Sequence, residues 1–436
     1  MARQAQELVL EEGNGWLGLP SAVAAYPGRD WSLWSRLARF AAVAGPGIVV
    51  MLADTDAGSI ITAAQSGAQW VYKLLALQVV LVPVLWIIQE LTVRLGIVTG
   101  KGHGDLIQKH YGRGWAWVSV GTLIVACVGA LLTELSGLAG VGLLYGVPTW
   151  LTMAAVIALL ALMAITGSYR SVERIALAVG AFELVFLIVA WRAHPSAGDM
   201  LRGSAAIPWR DPKYLYLFSA NIGAVIMPWM VFYQQSSVVE KKLTVADLPS
   251  ARWDTAIGSV VTQLIMAAVL VAAAATLGKA GAGGSLDTVQ EISQAITPFL
   301  GKGAGEMLFA LGMSGAALVA AIVVTLTAAR SIGEILGVNH RLEHSPRQAP
   351  WFYGTYVAVL VLGGAVVLSG IDLVKLSVGV QVMNTLLLPV VLGFLFLLAR
   401  RLPAPYRLKG AYAGAVATVI VVTVALGLYS SIAGLL

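Results

Sequence analysis

Apolar runs of about 20 residues recur along the whole sequence, and they constrain the fold more than any other feature. A helix of about 20 residues crosses the hydrocarbon core of a bilayer, where only helices and closed barrels satisfy the backbone. Charged residues make up 11% of the chain, against about 25% in an average soluble domain. The sequence therefore predicts an all-α polytopic membrane protein with eleven spans, at about 38–65, 72–98, 115–143, 148–167, 174–193, 214–239, 254–278, 304–335, 351–370, 374–400 and 410–433.

Positive charges in the loops between spans predict the orientation. Arginine and lysine are concentrated after spans 2, 4, 6, 8 and 10 and nearly absent after spans 1, 3, 7 and 9; the basic loop after span 5 is the exception. Because cytoplasmic loops carry this excess, we expect a multi-pass protein of a bacterial-type cytoplasmic (inner) membrane, with the N-terminus in the cytoplasm and the C-terminus outside. These loops account for the net charge of +6. No basic helix or stripe indicates nucleic-acid binding, so no nucleic-acid partner is expected. The expected surroundings of the protein are the lipid bilayer.

Two predicted spans, five apart, contain residues that weaken a helix at mid-depth. Span 1 reads "AGPGIVVMLADTDAGSI" and span 6 reads "ANIGAVIMPWMVFYQQ", in which Pro228 removes a helical hydrogen bond. Because five crossings is an odd number, the second set of five lies inverted relative to the first. Matched interruptions of this kind indicate the binding site of a transporter. The predicted organisation is a lead-in over 1–37, a first repeat over 38–193, a second over 194–400 and a final span within 401–436.

The first interruption places two carboxylates, Asp54 and Asp56, where charge is costly and usually functional. On an intact helix they point about 200° apart, but an unwound segment allows both to face one ligand. Carboxylates, freed carbonyls and the Ser59 hydroxyl are ligands for hard cations. At the second interruption the Met227 thioether adds a softer donor that favours transition metals; the alternative role of Met227 is packing beside the kink.

Other polar residues in the predicted spans each have two interpretations. Glu134 in span 3 is a proton carrier or an indirect support of the site, or it forms a hydrogen bond between helices. Gln263, Gln381 and Asn384 line the cavity or join helices to one another. Glu183 in span 5 has no assigned role. All five histidines fall in predicted loops, so no buried imidazole is expected as a metal ligand or proton relay.

Two segments carry a resemblance to a known family. "AGPG…DTDAGSIITAAQSGAQWVYKLL" resembles the first span of NRAMP metal-ion transporters, whose signature there is Asp-Pro-Gly-Asn, and "NIGAVIMPWMVFYQQSS" resembles their sixth span, with its Met-Pro-His signature. "IIQELTVRLGIVTGKGHGDLIQKHYG" and "RWDTAIGSVV" add support. The resemblance implies a LeuT-type fold of two inverted five-helix repeats plus one extra helix. It also implies uptake of a divalent metal ion as substrate, with no cofactor.

Carried over position by position, the resemblance implies a set of metal ligands. Asp56 stands at the coordinating aspartate of the family and Met227 at its metal-binding methionine. Ala224 matches a carbonyl donor in the sixth span, and Ala53 a candidate carbonyl donor in the first. Glu134 matches a glutamate typical of the third span.

The departures from the family signatures are equally specific. Ala57 replaces the signature proline, Ser59 the coordinating asparagine and Trp229 the histidine after Met-Pro. Leu131 stands where the family usually has an aspartate involved in proton transfer, whereas Asp54 stands where the usual residue is uncharged. The chain therefore resembles a divergent NRAMP-related branch, such as those that take up magnesium without proton coupling, although that branch tends to lose the methionine kept here.

The leading hypothesis is a secondary transporter, not an enzyme, that imports a divalent metal cation of the manganese or magnesium class by alternating access. Proton coupling is expected to be weak or absent, and the protein is expected to be a monomer. Asp56 and Met227 would contact the metal, and Asp54 and Ser59 would contact the metal or its ligands. The alternative is a LeuT-fold carrier of a small organic cation or amino acid, held by cation–π attraction to Trp229 and Tyr233 and by salt bridging to the carboxylates.

Overall fold

The computed structural model describes residues 45–166, 169–277, 284–336 and 346–436. The predicted lead-in over 1–37 and the loop histidines His340 and His344 lie outside these ranges. The described helices are α1 Pro46–Asp54, α2 Ala57–Trp70, α3 Leu75–Thr99, α4 His103–Tyr111, α5 Arg113–Leu144, α6 Thr149–Thr166, α7 Tyr169–Gly180, α8 Val185–Arg192, α9 Ala197–Ala205, α10 Pro212–Val225, α11 Pro228–Glu240, α12 Leu248–Leu277, α13 Val289–Ile296, α14 Lys302–Leu336, α15 Pro350–Leu368, α16 Leu373–Ala399 and α17 Gly410–Leu435. Short 3₁₀ turns occupy Ala181–Leu184, Val245–Asp247 and Pro298–Leu300.

Each of the eleven predicted spans coincides with helix in the described residues. By length and apolar character, nine helical segments within the described ranges are able to cross a membrane, and the bent pair α1–α2 makes a tenth. The predicted fourth span, α6, is a shorter apolar helix. The all-α polytopic class is therefore confirmed, whereas the number of eleven crossings is not established. The division into repeats at 38–193 and 194–400 stays a prediction.

Several helices begin at a side chain that caps their free N–H groups. Asp211 accepts hydrogen bonds from the backbone N–H groups of Lys213 and Tyr214 and starts α10. Asp372 starts α16 in the same way, as expected for an aspartate at the N-cap. The starts of these two helices are therefore encoded by residues within a few positions of the chain.

The two broken spans occupy the centre of the molecule. In the most apolar stretch of α10–α11, 94% of the residues are buried, against 22% in α17 at the periphery. Helix α12 packs on both α1 and α2, and α16 packs on α2, α5 and α10. The interruptions of the first and sixth spans are thus enclosed by α5, α12 and α16.

The start of α1 is held by a carboxylate from another helix. Asp254, on α12, accepts hydrogen bonds from the backbone N–H of Gly47 at 2.7 Å and of Gly45 at 3.3 Å. The first N–H groups of a helix have no partner within it, and here α12 provides one across 207 residues of chain. This contact fixes the position of the half-helix that leads to the first interruption.

Candidate functional site

The first interruption separates α1 from α2 at the two predicted carboxylates. Helix α1 ends at Asp54, α2 begins at Ala57, and the two helices meet at an angle of 50°. Asp56 has extended backbone angles and is the N-cap of α2, because its Oδ1 accepts a hydrogen bond of 2.6 Å from the Ser59 N–H. The aspartate therefore breaks the span and starts its second half at the same time.

The second interruption lies between α10 and α11. Helix α10 ends at Val225, and α11 begins at Pro228, a residue favoured at the first helical position because it needs no N–H partner. Met227 has an extended backbone and precedes the proline. Its own backbone N–H lies 3.1 Å from the Met230 sulfur. The Met-Pro pair thus produces the break that the sequence predicted.

The Ser59 side chain joins the two interruptions. The Ser59 hydroxyl donates a hydrogen bond of 2.9 Å to the carbonyl oxygen of Ala224, in the last turn of α10. Carbonyls of a last helical turn have no partner within their helix, so this oxygen is available to another donor. Ala53 lies at the equivalent place, in the last turn of α1, and is fully buried.

Both aspartates are buried and incompletely hydrogen-bonded. Asp54 is 1% exposed and Asp56 is 0% exposed. Neither oxygen of Asp54 has a hydrogen-bond partner among the described residues. Asp56 has a partner there for its Oδ1 but not for its Oδ2. A buried carboxylate without partners costs free energy that a cation would recover. Among the described residues no group of three or more His, Cys, Asp or Glu side chains is arranged as a metal cage.

Glu134 contacts the first interruption from α5. Its Oε2 accepts a hydrogen bond of 3.1 Å from the Ala57 N–H, and its Oε1 accepts one of 2.9 Å from the Thr133 hydroxyl. The Ala57 N–H is one of the free donors at the start of α2. Glu134 therefore supports the start of α2 beside Asp56.

The Met227 sulfur is already engaged by a neighbour. The Trp229 indole N–H donates to it across 3.1 Å, and both side chains are 0% exposed. The indole that stands at the expected histidine position thus faces the sulfur that was predicted as a soft ligand.

Helix α16 touches both interruptions through Gln381. A methyl group added at Gly58 would collide with the Gln381 amide nitrogen, and one added at Gly223 would collide with its backbone carbonyl. The Gln381 side-chain carbonyl accepts a hydrogen bond of 2.9 Å from Asn384. Gln263, on α12, is 2% exposed, and both polar atoms of its amide lack a partner among the described residues.

The sequence profile of the natural resistance-associated macrophage protein-like (Nramp) family matches residues 47–433. The chain belongs to this family. The match runs through both interruptions and extends into α17, beyond the segments quoted above for the resemblance. The recognition of the family from its first and sixth spans is confirmed.

Curated Nramp relatives cover most of the chain. The divalent metal cation transporter MntH of Xanthomonas campestris is 31% identical over 336 residues, which is 73% of each chain. MntH of Bradyrhizobium diazoefficiens is 30% identical over 336 residues, covering 73% of this chain and 70% of its own.

Solved structures support the fold. A crystal structure of the Eremococcus coleocola manganese transporter aligns with a TM-score of 0.72 at 19% identity, covering 93% of this chain and 88% of that one. MhsT in complex with L-phenylalanine aligns with a TM-score of 0.55 at 14% identity, covering 93% and 100%. The LeuT-type fold expected for an Nramp protein is therefore confirmed.

Two histidines of this Nramp chain correct an expectation from sequence. His103 and His110 lie in helix α4 rather than in a loop, and His103, the first residue of that helix, is fully buried. Its Nδ1 lies 3.0 Å from the Gln235 side-chain oxygen, and burial lowers the pKa of His103 to about 4. Leu106 and Ile107 lie three and four residues after His103, a spacing that indicates one buried helical face. This spacing is the sequence signal for the burial of His103.

The sequence alone assigns no role to Glu183. Glu183 lies in the 3₁₀ turn that interrupts the predicted fifth span, and it is fully buried. Its side chain lies beside Thr55 at the first interruption. The sequence signal for a functional role of Glu183 is its position at the centre of an apolar span, because an ionisable residue there is functional by default.

Proposed function

We propose that this Nramp protein is a secondary transporter that carries a divalent metal cation, held between the two interruptions, by alternating access. The observation that carries the proposal is the hydrogen bond from Ser59 to Ala224, which joins the two unwound segments beside the unpartnered oxygen of Asp56. Curated relatives named divalent metal cation transporters support the same conclusion.

The proposed ligands are predominantly oxygen atoms. Asp56 offers its free oxygen and Asp54 its carboxylate; the Ser59 hydroxyl adds an oxygen, as do the carbonyls of Ala53 and Ala224. Hard divalent cations prefer such oxygen donors. Two ionised carboxylates neutralise one dication, so the loaded site carries almost no net charge. The Met227 sulfur lies at the second interruption and is the single soft atom of the set.

Weak or absent proton coupling is part of the proposal. Leu131, at the position where the family usually has a proton-transferring aspartate, is buried against Gly363 of α15, and Trp229 replaces the histidine after Met-Pro. An inside-negative membrane potential supplies about 4.6 kcal/mol per dication at 100 mV. That free energy drives uptake without proton input.

The proposed setting is a bacterial-type inner membrane with a cytoplasmic N-terminus, as the loop charges indicate. The described site residues Asp54, Asp56, Met227 and Trp229 are at most 1% exposed. In this conformation these side chains are therefore shielded from solvent.

Uptake into proteoliposomes tests the proposal. With manganese or magnesium outside and an inside-negative potential, we expect uptake by the wild type and a loss of about 100-fold in Asp56→Asn, because the buried cation loses its charged partner. Asp199→Asn is the matched control, since Asp199 lies on the surface, where it pairs with Arg202. Undiminished uptake in Asp56→Asn would overturn the site.

Two further arms of the same assay examine coupling and substrate class. Metal entry is expected without acidification of the lumen, so a robust metal-evoked proton flux contradicts the coupling proposal. Organic amines in excess are expected to leave metal uptake unchanged. Competition by an amine would favour the organic-cation carrier instead.

A further inference from the structure

The single soft atom of the proposed site is occupied by a hydrogen bond. The Trp229 Nε1 lies 3.1 Å from the Met227 sulfur, within the range of hydrogen bonds to sulfur. Both residues are 0% exposed, and Trp229 is the largest fully buried side chain among the described residues. The contact is therefore an interior one, shielded from competing water.

The local backbone holds this contact in place. Met227 is the residue before the first turn of α11, and Trp229 lies within that turn. The Met227 N–H is directed at the Met230 sulfur at 3.1 Å. Two contacts inside one four-residue segment thus orient the Met227 backbone and its side chain together.

The chemistry of the two groups determines what the contact does. A thioether is a weak acceptor, and an indole N–H is a donor only. With the N–H directed at the sulfur, a cation that approaches the same atom meets the positive end of the N–H dipole. The carboxylate oxygens of Asp54 and the free oxygen of Asp56 have no such competing donor among the described residues.

Building on the proposed function, we infer that Trp229 masks the Met227 sulfur and makes this an oxygen site, selective for hard dications such as Mg²⁺ and Mn²⁺ over soft Cd²⁺. Softer metals gain most from thioether ligands, and they lose that gain while the indole holds the sulfur. Trp229 is then a residue that sets specificity without itself binding the metal.

Competition between Cd²⁺ and Mg²⁺ for the purified protein tests this inference. Trp229→Phe keeps an aromatic ring but removes the N–H. We expect the affinity for Cd²⁺ relative to Mg²⁺ to rise about five-fold, the factor associated with one net hydrogen bond. Trp253→Phe is the control, because Trp253 is 67% exposed on α12. An unchanged ratio in a folded Trp229→Phe protein would overturn the inference.

A second substitution assigns the gain to the sulfur. Met227→Leu, nearly equal in volume, is combined with Trp229→Phe. The double variant is expected to return to the wild-type ratio of Cd²⁺ to Mg²⁺ affinity. A gain that persists without the sulfur contradicts masking, since it would have to come from another donor or from a larger cavity.

X-ray absorption at the cadmium edge keeps the inference testable if Trp229→Phe does not fold. The Cd²⁺-loaded wild type is expected to show an oxygen shell alone, and a sulfur shell in the wild type overturns the inference. Failure of the proposed function is distinguishable, because it appears as absence of binding by any of these dications. A sulfur-ligated dication leaves the proposed function intact and refutes only the masking.

Discussion

The Ser59 hydroxyl and the Ala224 carbonyl oxygen lie 2.9 Å apart and connect positions separated by 165 residues. One atom belongs to the interrupted first span and the other to the interrupted sixth. Both are in the proposed ligand set, so a bound cation exchanges their mutual hydrogen bond for two metal–oxygen contacts. The two halves of the site are therefore aligned before a cation binds, which lowers the ordering cost of binding.

Ser59→Ala tests this alignment. The substitution removes both the link to Ala224 and one proposed donor, and we expect the affinity for Mn²⁺, measured by calorimetry, to fall about ten-fold. Ser369→Ala is the matched control, because that hydroxyl also donates to a backbone carbonyl but lies on an exposed surface. Equal affinities for the wild type and Ser59→Ala would show that the link does not contribute to the site.

Gly223→Ala tests the close packing of α10 on α16. An added methyl group would collide with the backbone carbonyl of Gln381, which cannot rotate away as a side chain can. We expect the free energy of unfolding to fall by about 1–3 kcal/mol, as in other overpacked interiors. Metal affinity should fall as well, because Gly223 adjoins the Ala224 carbonyl.

Gly414→Ala, on α17, is the control for that experiment. A methyl group added there meets nothing within 4 Å, and alanine favours a helix over glycine by up to about 1 kcal/mol. Its melting temperature in detergent should match or exceed that of the wild type. Equal melting temperatures for Gly223→Ala and Gly414→Ala would contradict the packing argument.

His103 is expected to make stability depend on pH. Burial lowers its pKa from 6.5 to about 4, so the folded protein keeps it neutral. Above pH 6.5 its contribution to stability is fully present. As the pH falls from 6.5 to 4, the unfolded chain binds a proton that the folded chain does not, and up to about 3 kcal/mol is lost.

Melting temperatures between pH 7.5 and pH 4.5 check this expectation. His103→Gln should show a shallower decline than the wild type, since glutamine does not titrate. His194→Gln is the control at an exposed histidine. Parallel curves for the wild type and His103→Gln would mean that the buried imidazole does not contribute to the acid sensitivity.

Much of the fold was predictable from sequence because its causes are local. Apolar runs predicted the helical segments, and Asp211 and Asp372 start helices by bonding to N–H groups two or three residues away. Pro228 likewise encodes the second interruption within its own segment. The positions of both breaks, and the carboxylates beside the first, therefore followed from the chain itself.

The roles of individual side chains depended on partners that are distant in sequence. Asp54 and Asp56 look alike in the sequence, yet Asp56 caps α2 whereas Asp54 has no partner among the described residues. His103 is buried because α11 covers it, with Gln235 lying 132 residues further along the chain. Such contacts follow from how helices pack, and the pattern of one segment does not contain that information.

The sequence by itself thus determined that this protein spans a membrane, where its first and sixth spans break and to which family it belongs. Only the tertiary structure showed that Ser59 joins those breaks and that Trp229 holds the Met227 sulfur. The physical reason is the range of the interactions. Helix formation and capping act within a few residues, whereas the direction of each buried donor is decided by which acceptors the packed helices bring within about 3 Å.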